Sequence, residues 1–536
     1  MRWRSIVIVN KVSRPERHII GQAMSTSASD LSELSAIRLA GLISQRQLSA
    51  REVVATFLER IETLDPTLGA FVYLDAERAL ADARWADAQV TRGRELGPLH
   101  GVPIGVKDIF NVFGMPTGAG SSIAAAHPDS DAEPVRRLRA AGAILTGKLT
   151  TSEFGCGSPF VIRRPRNPWN LDHVAGGSSA GSAIVVGARL LPAAIGGDTG
   201  GSVRIPSSFC GIVGLRPSAG MVRTDGAVAL APGIDTAGPM TRSAGDAELL
   251  LKVMGSGFEQ ASVRTVGSVT SIDLTGDPGV DPEVAAATEQ VARSAAELLG
   301  IALTTVRPTA LRIAWAAAWT IIYSQALSVY RDILRDGFRE LSPPFRWKLC
   351  AAAALDGDDL RAGQRIAEIV KDELSICVRG DAVLVTPTTA HPANRLDGPY
   401  RGRDTMEWTA GPSLAGLPAL SSPAGLTRDG LPIGVQLIAE RGTDLGLLRC
   451  ATRLEQAGIL GKIGRPPIEL GAIPMTGANA TPVEAPPRVS VTARDLDEVR
   501  ASASRLDLPP LDAADVDGAA RSLRAVRRAL HSPPIG

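Results

Sequence analysis

The sequence predicts an α/β protein with a mostly parallel, buried sheet. Short apolar runs rich in β-branched residues alternate with helical patterns along most of the chain, as in SAIVVGARLLPAAIGG, DAVLVTPTTA and LPIGVQLIAE. Strands that are apolar throughout are typical of parallel sheets that helices cover on both faces. The 536 residues, 44% of them hydrophobic and 21% charged, are enough for one large α/β unit with a tail or for several average domains.

The organised pattern begins with a helix that follows an N-terminal extension. LSAREVVATFLERIETLDP, at 48–66, opens with Ser49 and Glu52 as a capping box and continues with apolar residues at helical spacing to about Leu64. Residues 1–30 show no such pattern, and the apolar run in MRWRSIVIVNK is shorter than a signal peptide requires. We therefore expect 1–30 to be a flexible extension. A start at Met24 and a targeting peptide are the alternatives.

An ionisable residue lies inside the next apolar segment. GVPIGVKDIFNV predicts a short strand with Lys107 near its end, and VRRLRAAGAILTGKLT predicts a helix, a glycine turn and a buried strand. A lysine in an apolar strand is costly unless it is neutral or paired, because desolvation disfavours its charged form. Pairing with Asp108 or another acid is one interpretation, and a neutral, reactive Lys107 is the other.

Two glycine-rich clusters carry hydroxyl groups, AGGSSAGS at 175–182 and GGDTGGSVRIP at 196–206. A phosphate-binding loop would need a Lys after the glycines and a helix directly behind them, but no Lys follows here and Pro206 argues against an immediate helix. Small residues instead let the backbone direct successive N–H groups at an oxyanion. A nucleophilic Ser202 would need a base, and the sequence pairs none of the six histidines with it.

Long helical stretches replace the strand pattern between about 305 and 380. Trp315, Trp319 and Tyr323 recur there at i, i+4 and i+8, which predicts an aromatic stripe on one face of a helix. We interpret the region as an insertion or as one wall of a pocket. Core packing of the stripe is the alternative.

The C-terminal part of the chain is predicted to be a linker followed by two helices. GANATPVEAPP lies in a Pro- and Ala-rich segment, 471–489, that is typical of a linker. In 490–530 the first amphipathic helix opens with Thr492 and Asp495 as a capping box. The second carries four arginines, which predict a solvated face: Arg521, Arg524, Arg527 and Arg528.

Composition excludes several classes of protein. The net charge is +1, so no global field favours nucleic acid or an anionic membrane, and no run reaches the roughly 18 apolar residues of a membrane span. The five scattered cysteines predict free thiols in a reducing compartment, and hence a cytoplasmic protein without a disulfide framework or zinc site. The cysteines are Cys156, Cys210, Cys350, Cys377 and Cys450. Cys210 is expected to be a buried packing residue.

Three segments together resemble the amidase signature family. GVPIGVKD, AGGSSAGS and GGDTGGSVRIP occur in this order, and Ser202 lies 24 positions after Ser178. The flanking segments TGKLTTSEF, RNPWNLDHVAGGSS, CGIVGLRPS, GLPALSSPAGL and DGLPIGVQLIA agree, so the resemblance covers roughly 35–470. It implies a single α/β/α domain, 31–470, with a large twisted mixed sheet. The linker and the two-helix segment 490–530 would follow as an appendage.

The resemblance also implies a catalytic triad that hydrolyses amides through an acyl-enzyme. The matching positions are Ser202 as nucleophile, Ser178 as proton relay and Lys107 as neutral base. In the family the peptide bond before the relay serine is cis, and Gly176 and Gly177 would give the chain room to bend. Neither a metal nor a cofactor is expected.

Further positions are implied as supports of this site. The oxyanion hole would be formed by the N–H groups of Thr199, Gly200, Gly201 and Ser202. Ser179, Asp198 and Arg204 would steady the site, with a purely structural Asp198–Arg204 ion pair as the alternative. The family's GGSSGGS is GGSSAGS here, a departure at Ala180 that leaves the triad positions filled.

We expect an enzyme that hydrolyses a small aliphatic or aryl amide, with esters or carbamates as further substrates. Trp315, Trp319, Tyr323 and Trp408 hint at an apolar or aryl pocket. The alternatives are an A-type glutaminase subunit of a glutamyl-tRNA amidotransferase, a component of a ring-cleavage amidohydrolase of the biuret or allophanate kind, and a silent scaffold. Segment 490–530 is faintly similar to the small C-type subunit of such complexes. The expected partner is the small-molecule amide, with a homodimer left open.

Overall fold

The structure is a computed structural model that describes residues 31–123, 126–156, 160–258, 264–398, 405–468 and 489–531. The predicted extension at 1–30 and the linker at 471–488 lie outside these residues. One sheet runs through the described part of the chain. Its strands are Phe71–Leu74 (β1), Pro103–Lys107 (β2), Ile144–Leu149 (β3), Ala193–Asp198 (β4), Val213–Arg216 (β5), Thr236–Thr241 (β6), Ser268–Ile272 (β7), Ala302–Val306 (β8), Ala382–Pro387 (β9), Ala419–Leu426 (β10) and Pro432–Ile438 (β11).

The helices of the described residues cover this sheet and extend beyond it. They are Ala36–Ser44 (α1), Ala50–Leu68 (α2), Ala76–Thr91 (α3), Glu133–Ala140 (α4), Ala180–Gly187 (α5), Arg204–Cys210 (α6), Ala244–Met254 (α7), Pro282–Leu299 (α8), Ala314–Val329 (α9), Arg331–Asp336 (α10), Pro343–Ala353 (α11), Gly357–Cys377 (α12), Ala410–Ala415 (α13), Asp444–Gln456 (α14), Ala493–Arg505 (α15) and Ala513–His531 (α16).

The sheet is mixed, with eleven strands in the order β1-β3-β2-β4-β6-β5-β10-β11-β9-β7-β8. Parallel pairs occur in two groups, β3-β2-β4 and β9-β7-β8. The remaining six of the ten pairs are antiparallel. The expectation of a mostly parallel sheet from the alternating pattern alone was therefore wrong, whereas the mixed α/β sheet is confirmed. Antiparallel strands in the middle of a large sheet are as apolar as parallel ones when both faces are covered.

The local helix signals are confirmed. Ser49 and Glu52 close a capping box at the start of α2, and Thr492 and Asp495 do the same for α15. The expectation that no helix starts directly behind Ser202 was wrong, because α6 begins at Arg204. Pro206 is only the third residue of that helix, in the first turn, where a backbone N–H has no helical acceptor to lose.

The C-terminal helices pack against the helical insertion. α16 contacts α9, α11 and α12, and α15 contacts α11 and α16. The apolar face of α16, including Val516, Ala519 and Leu523, belongs to the same hydrophobic core as the sheet. Of the predicted arginines, Arg527 does not lie on a merely solvated face, since it pairs with Asp359 of α12 at 2.8 Å. Segment 490–530 therefore shares the core that holds the insertion in place.

Candidate active site

Lys107 is the last residue of β2, which lies between β3 and β4 in the parallel part of the sheet. Its side chain is 1% exposed. Nζ donates to Ser178 Oγ at 2.7 Å and to the carbonyl oxygen of Gly197 at 3.1 Å. The interpretation that Lys107 pairs with Asp108 is wrong, because Asp108 instead pairs with the buried Lys148 at 2.9 Å.

Burial lowers the pKa of Lys107 from its ordinary value to about 7. The carboxylates of Asp198 and Asp235 act in the opposite direction, since a nearby negative charge favours the ammonium, but they do not outweigh the desolvation. The amine is therefore substantially neutral near pH 7, as proton abstraction requires.

Ser178 lies between Lys107 and the start of α5. Its side chain is fully buried, and the Gly177–Ser178 peptide bond is cis, as the resemblance implies. Gly176 has φ of +79°, and a Cβ there would lie 2.8 Å from Pro206 Cα. Glycine is thus required at 176 both by the backbone conformation and by the close approach of α6.

Ser202 lies on the loop between β4 and α6 and is half-buried. Its carbonyl oxygen accepts from the Ser179 N–H at 3.2 Å. Ser179 Oγ donates to the carbonyl oxygen of Gly197, 3.2 Å away, and this carbonyl also accepts from Lys107. Ser179 therefore joins the two glycine-rich clusters, which the sequence separates, next to Lys107.

Two arginines hold Asp198 at the beginning of the Ser202 loop. Arg204 binds both carboxylate oxygens, at 3.1 and 2.9 Å, and Arg216 Nη1 lies 3.2 Å from Oδ1. Burial on its own raises the pKa of the Asp198 carboxyl, but the charges of Arg204 and Arg216 outweigh it and lower the pKa below its usual range. Asp198 is therefore an anion that is neutralised by its partners.

Arg216 is a site residue that sequence reasoning did not single out. It lies at the end of β5, in the segment CGIVGLRPS, and is fully buried. An arginine directly after an apolar strand run is a weak signal of a buried anion, of the same kind that drew attention to Lys107. Its partner, Asp198, could not be read from a spacing of 18 residues.

The predicted oxyanion donors fall into two groups. The N–H groups of Thr199, Gly200 and Ser202 donate to no other group in the described part of the chain. The Gly201 N–H instead donates to Asp198 Oδ1 at 2.9 Å. Gly201 is therefore removed from the predicted hole, because a donor held by a buried carboxylate is not available to a second anion.

The glycines of this loop also meet a steric requirement. Gly201 has φ of +134°, and a Cβ there would overlap Thr409 Oγ1, which donates to the carbonyl oxygen of Gly200 at 2.6 Å. A Cβ at Gly200 would lie 2.6 Å from Met406 Cε and 3.6 Å from Ile322 Cδ1. Apolar side chains of α9 and of the segment before α13 therefore border the loop.

The four aromatic residues of the predicted pocket are not brought to one place. On α9, Trp315 and Tyr323 are buried, and Trp319 stacks on Tyr323 with ring centroids 4.8 Å apart. The Tyr323 hydroxyl donates to the carbonyl oxygen of Cys156 at 3.2 Å. Trp408 is 1% exposed and lies under the guanidinium of Arg312. Of the residues on α9, Ile322 lies next to Gly200, so the pocket role of the aromatics stays a prediction.

All five cysteines are free and buried, as predicted. Burial raises the pKa of the Cys210 thiol well above its ordinary value, which disfavours the reactive thiolate. Cys210 is thus a packing residue of α6, and its backbone carbonyl accepts from Trp169 Nε1 at 2.9 Å.

Comparison with known proteins identifies the family. A model of the Amidase family matches residues 52–448. The chain belongs to the amidase family. It is therefore a hydrolase that acts on C–N amide bonds.

Several relatives of this amidase have known names or structures. The A-type subunit of the glutamyl-tRNA(Gln) amidotransferase from Desulforapulum autotrophicum is 32% identical over 481 residues, which are 80% of this chain and 98% of the relative. A structure of a vestigial protein complex that reveals the evolutionary origins of an s-triazine catabolic enzyme matches with TM-score 0.74 and 28% identity, over 81% of this chain and 100% of the other. A bacterial aryl acylamidase matches with TM-score 0.71 and 25% identity, over 80% and 97%.

A helix that crosses a membrane must be both long and apolar. Within the described ranges, no helix of this amidase has the length and hydropathy needed.

Proposed function

We propose that this amidase hydrolyses small aliphatic or aryl carboxylic amides as a free-standing enzyme, through an acyl-enzyme on Ser202. Ser202 Oγ attacks the carbonyl carbon while its proton passes to Ser178 Oγ, and the Ser178 proton passes to Lys107 Nζ. The C–N bond then breaks as Ser178 returns a proton to the leaving nitrogen and regains one from Lys107. Water hydrolyses the resulting ester by the same proton route and releases the acid and Ser202.

The proposal depends above all on the hydrogen bond of 2.7 Å between Lys107 Nζ and Ser178 Oγ. Both groups are buried, and the pKa of Lys107 near 7 makes the amine a base that matches the working pH. The free N–H groups of Thr199, Gly200 and Ser202 support an oxyanion hole beside the nucleophile.

An apolar acyl group fits the surroundings of the Ser202 loop. Ile205 and Phe209 of α6 form a small hydrophobic cluster with Ala393, against which Met406 packs. Met406 and Ile322 also lie beside Gly200. These side chains favour an aliphatic or aryl substrate, because they offer apolar surface where the acyl group would lie.

A glutaminase component of a larger complex is the second candidate, because a relative 32% identical is named as the A-type subunit of a glutamyl-tRNA(Gln) amidotransferase. The structural neighbour from s-triazine catabolism supports the ring-cleavage alternative in the same way. The free-standing enzyme is preferred here because α15 and α16 lie outside the family match at 52–448 and pack on the chain's own insertion.

The test is hydrolysis of benzamide, a nitroacetanilide, an aliphatic amide, glutamine, biuret and a nitrophenyl ester by the purified protein and by Ser202→Ala. Turnover of aryl or aliphatic amides that Ser202→Ala loses, and that the exposed-serine control Ser130→Ala keeps, is the expected result. Turnover of glutamine alone would favour the glutaminase component, and turnover of biuret alone would favour ring cleavage.

A serine-reactive fluorophosphonate separates an inactive chain from an untested substrate. The wild-type protein should be labelled at Ser202, whereas Ser202→Ala should not. Absence of labelling in the folded wild-type protein would contradict an activated serine and support a silent scaffold.

A further inference from the structure

The carbonyl groups of the Ser202 loop are all held from one side. Arg216 Nη1 donates to the carbonyl oxygens of Asp198, at 2.7 Å, and Thr199, at 3.4 Å. Thr409 Oγ1 donates to the carbonyl of Gly200. Backbone N–H groups of the helical segments that follow complete the set, with Ile205 bonded to Gly201 and Ser179 bonded to Ser202.

In a trans peptide plane the C=O and the N–H point in opposite directions, so anchoring one aims the other. The cis bond at Gly177–Ser178 does not lie within this loop. Anchoring the carbonyl of Asp198 therefore directs the N–H of Thr199, and anchoring the carbonyl of Thr199 directs the N–H of Gly200. These are two of the three N–H groups that have no acceptor among the described residues.

We propose that Arg216 is a positioning residue that aims the Thr199 and Gly200 N–H groups into the oxyanion hole. This inference rests on the proposed acyl-enzyme function of the same loop. Arg216 touches neither substrate nor nucleophile and acts only through the two peptide planes.

The chemistry of arginine suits this role. While Nη1 holds the two loop carbonyls, Nη2 donates to the carbonyl of Ile234 at 2.8 Å, so the planar guanidinium cannot rotate without breaking bonds on both sides. Asp198, 3.2 Å from Nη1, balances the buried charge. A lysine ammonium in the same place is a single point donor and cannot hold both sets of carbonyls.

Thr199 has a second restraint on the same geometry. Its hydroxyl donates to Asp235 Oδ1 at 2.6 Å, and Asp235 follows Ile234, whose carbonyl is bound to Arg216. Side chain and backbone of Thr199 are thus tied to one rigid segment. Donors fixed in this way before the reaction do not need to reorganise as charge develops, which is the source of oxyanion stabilisation.

The discriminating experiment compares Arg216→Lys with Thr409→Val. Both variants remove hydrogen bonds to carbonyls of the same loop, but the plane anchored by Thr409 carries the Gly201 N–H, which donates to Asp198 and not into the hole. Thermal unfolding establishes that each variant is folded. A boronic acid adduct then reports transition-state binding, and a non-hydrolysable substrate analogue reports ground-state binding.

If Arg216 positions the donors, Arg216→Lys lowers kcat and boronic acid affinity together, by about 10- to 1,000-fold, with substrate-analogue affinity kept within about threefold. Thr409→Val should lower the unfolding temperature while changing boronic acid affinity far less. Equal losses of boronic acid and substrate-analogue affinity in Arg216→Lys, or no loss of either, would overturn the inference.

A wild-type measurement covers the case in which Arg216→Lys does not fold. In a crystal structure of the boronic acid adduct at Ser202, a boron-bound oxygen should lie about 2.7–3.1 Å from the backbone nitrogens of Thr199 and Gly200. An oxygen placed elsewhere defeats the inference and leaves the proposed function intact. Failure to form any adduct at Ser202 defeats the proposed function itself.

Discussion

Lys107 Nζ and Ser178 Oγ are 2.7 Å apart in a site where both side chains are buried. An amine in water would be charged at neutral pH and would donate to the hydroxyl without accepting its proton. Burial changes this relationship, because it lowers the pKa of Lys107 to about 7 and makes the neutral amine accessible. The predictions that follow test this site and the helices around it.

The pH dependence of kcat/KM should show one rising limb with its midpoint near pH 7. Below the pKa of about 7, Lys107 is an ammonium and cannot take a proton from Ser178, so activity falls by about tenfold per pH unit there. Hydrolysis of an anilide between pH 5 and 9 measures the limb. A midpoint near the ordinary lysine value would contradict a desolvated base.

Asp235→Asn should move that midpoint to lower pH. The Asp235 carboxylate raises the pKa of Lys107, so replacing it by a neutral amide removes a stabilisation of the ammonium. The amide oxygen can still accept from the Thr199 hydroxyl, now 2.6 Å from the carboxylate. The same pH series on Asp225→Asn, an exposed aspartate, serves as the control. An upward shift would show that the sign of the coupling is wrong.

Lys107→Met should abolish turnover while making the protein more stable at pH 7. A folded-state pKa near 7, against about 10.5 in the unfolded chain, means that the unfolded chain binds the proton more tightly, which destabilises the fold by up to about 4 kcal/mol at neutral pH. This cost fades as pH rises towards the unfolded pKa. Urea unfolding of both proteins at pH 7 and 9 measures it. Lower stability of Lys107→Met at both pH values would contradict the argument.

The packing of the C-terminal helices should depend on a buried ion pair. Arg346 of α11 binds Asp515 of α16 at 2.8 Å, and both side chains are buried. Asp515→Asn is expected to cost about 3–5 kcal/mol of unfolding free energy, because it leaves a buried guanidinium without its counter-charge. Disrupting the exposed pair of Arg361 and Asp358 by Arg361→Met should cost about 0–1 kcal/mol. Equal losses in urea unfolding would contradict a brace at α16.

Gly518→Ala should destabilise α16 although alanine favours helices. A Cβ at this position would overlap the indole ring of Trp347 on α11, so we expect a loss of about 1–3 kcal/mol. At Gly41 of α1, a Cβ would meet no atom of the described residues within 4 Å. Gly41→Ala should therefore stabilise the protein by about 0.5–1 kcal/mol in the same unfolding assay. Stabilisation by both substitutions would show that α16 does not pack closely on α11.

Local features of this amidase could be predicted from its sequence because their causes lie within a few residues. The capping boxes at Ser49 and Thr492 depend on side chains three positions apart. The burial of Lys107 follows from the apolar strand around it, and the free, buried cysteines follow from their scattered spacing. The segments that carry the Ser178 and Ser202 clusters were likewise visible as motifs in register.

Tertiary structure decided whatever depends on partners distant in the chain. Strand direction, the pairing of Asp108 with Lys148, and the capture of the Gly201 N–H by Asp198 each required chain segments to meet in three dimensions. The position of Arg216 is the clearest case. Its residue type can be read from the sequence, but a guanidinium bond to two loop carbonyls exists only once β5 and the end of β4 lie side by side. Periodicity and motifs therefore specify the elements, whereas long-range packing specifies which groups neutralise, anchor and aim one another.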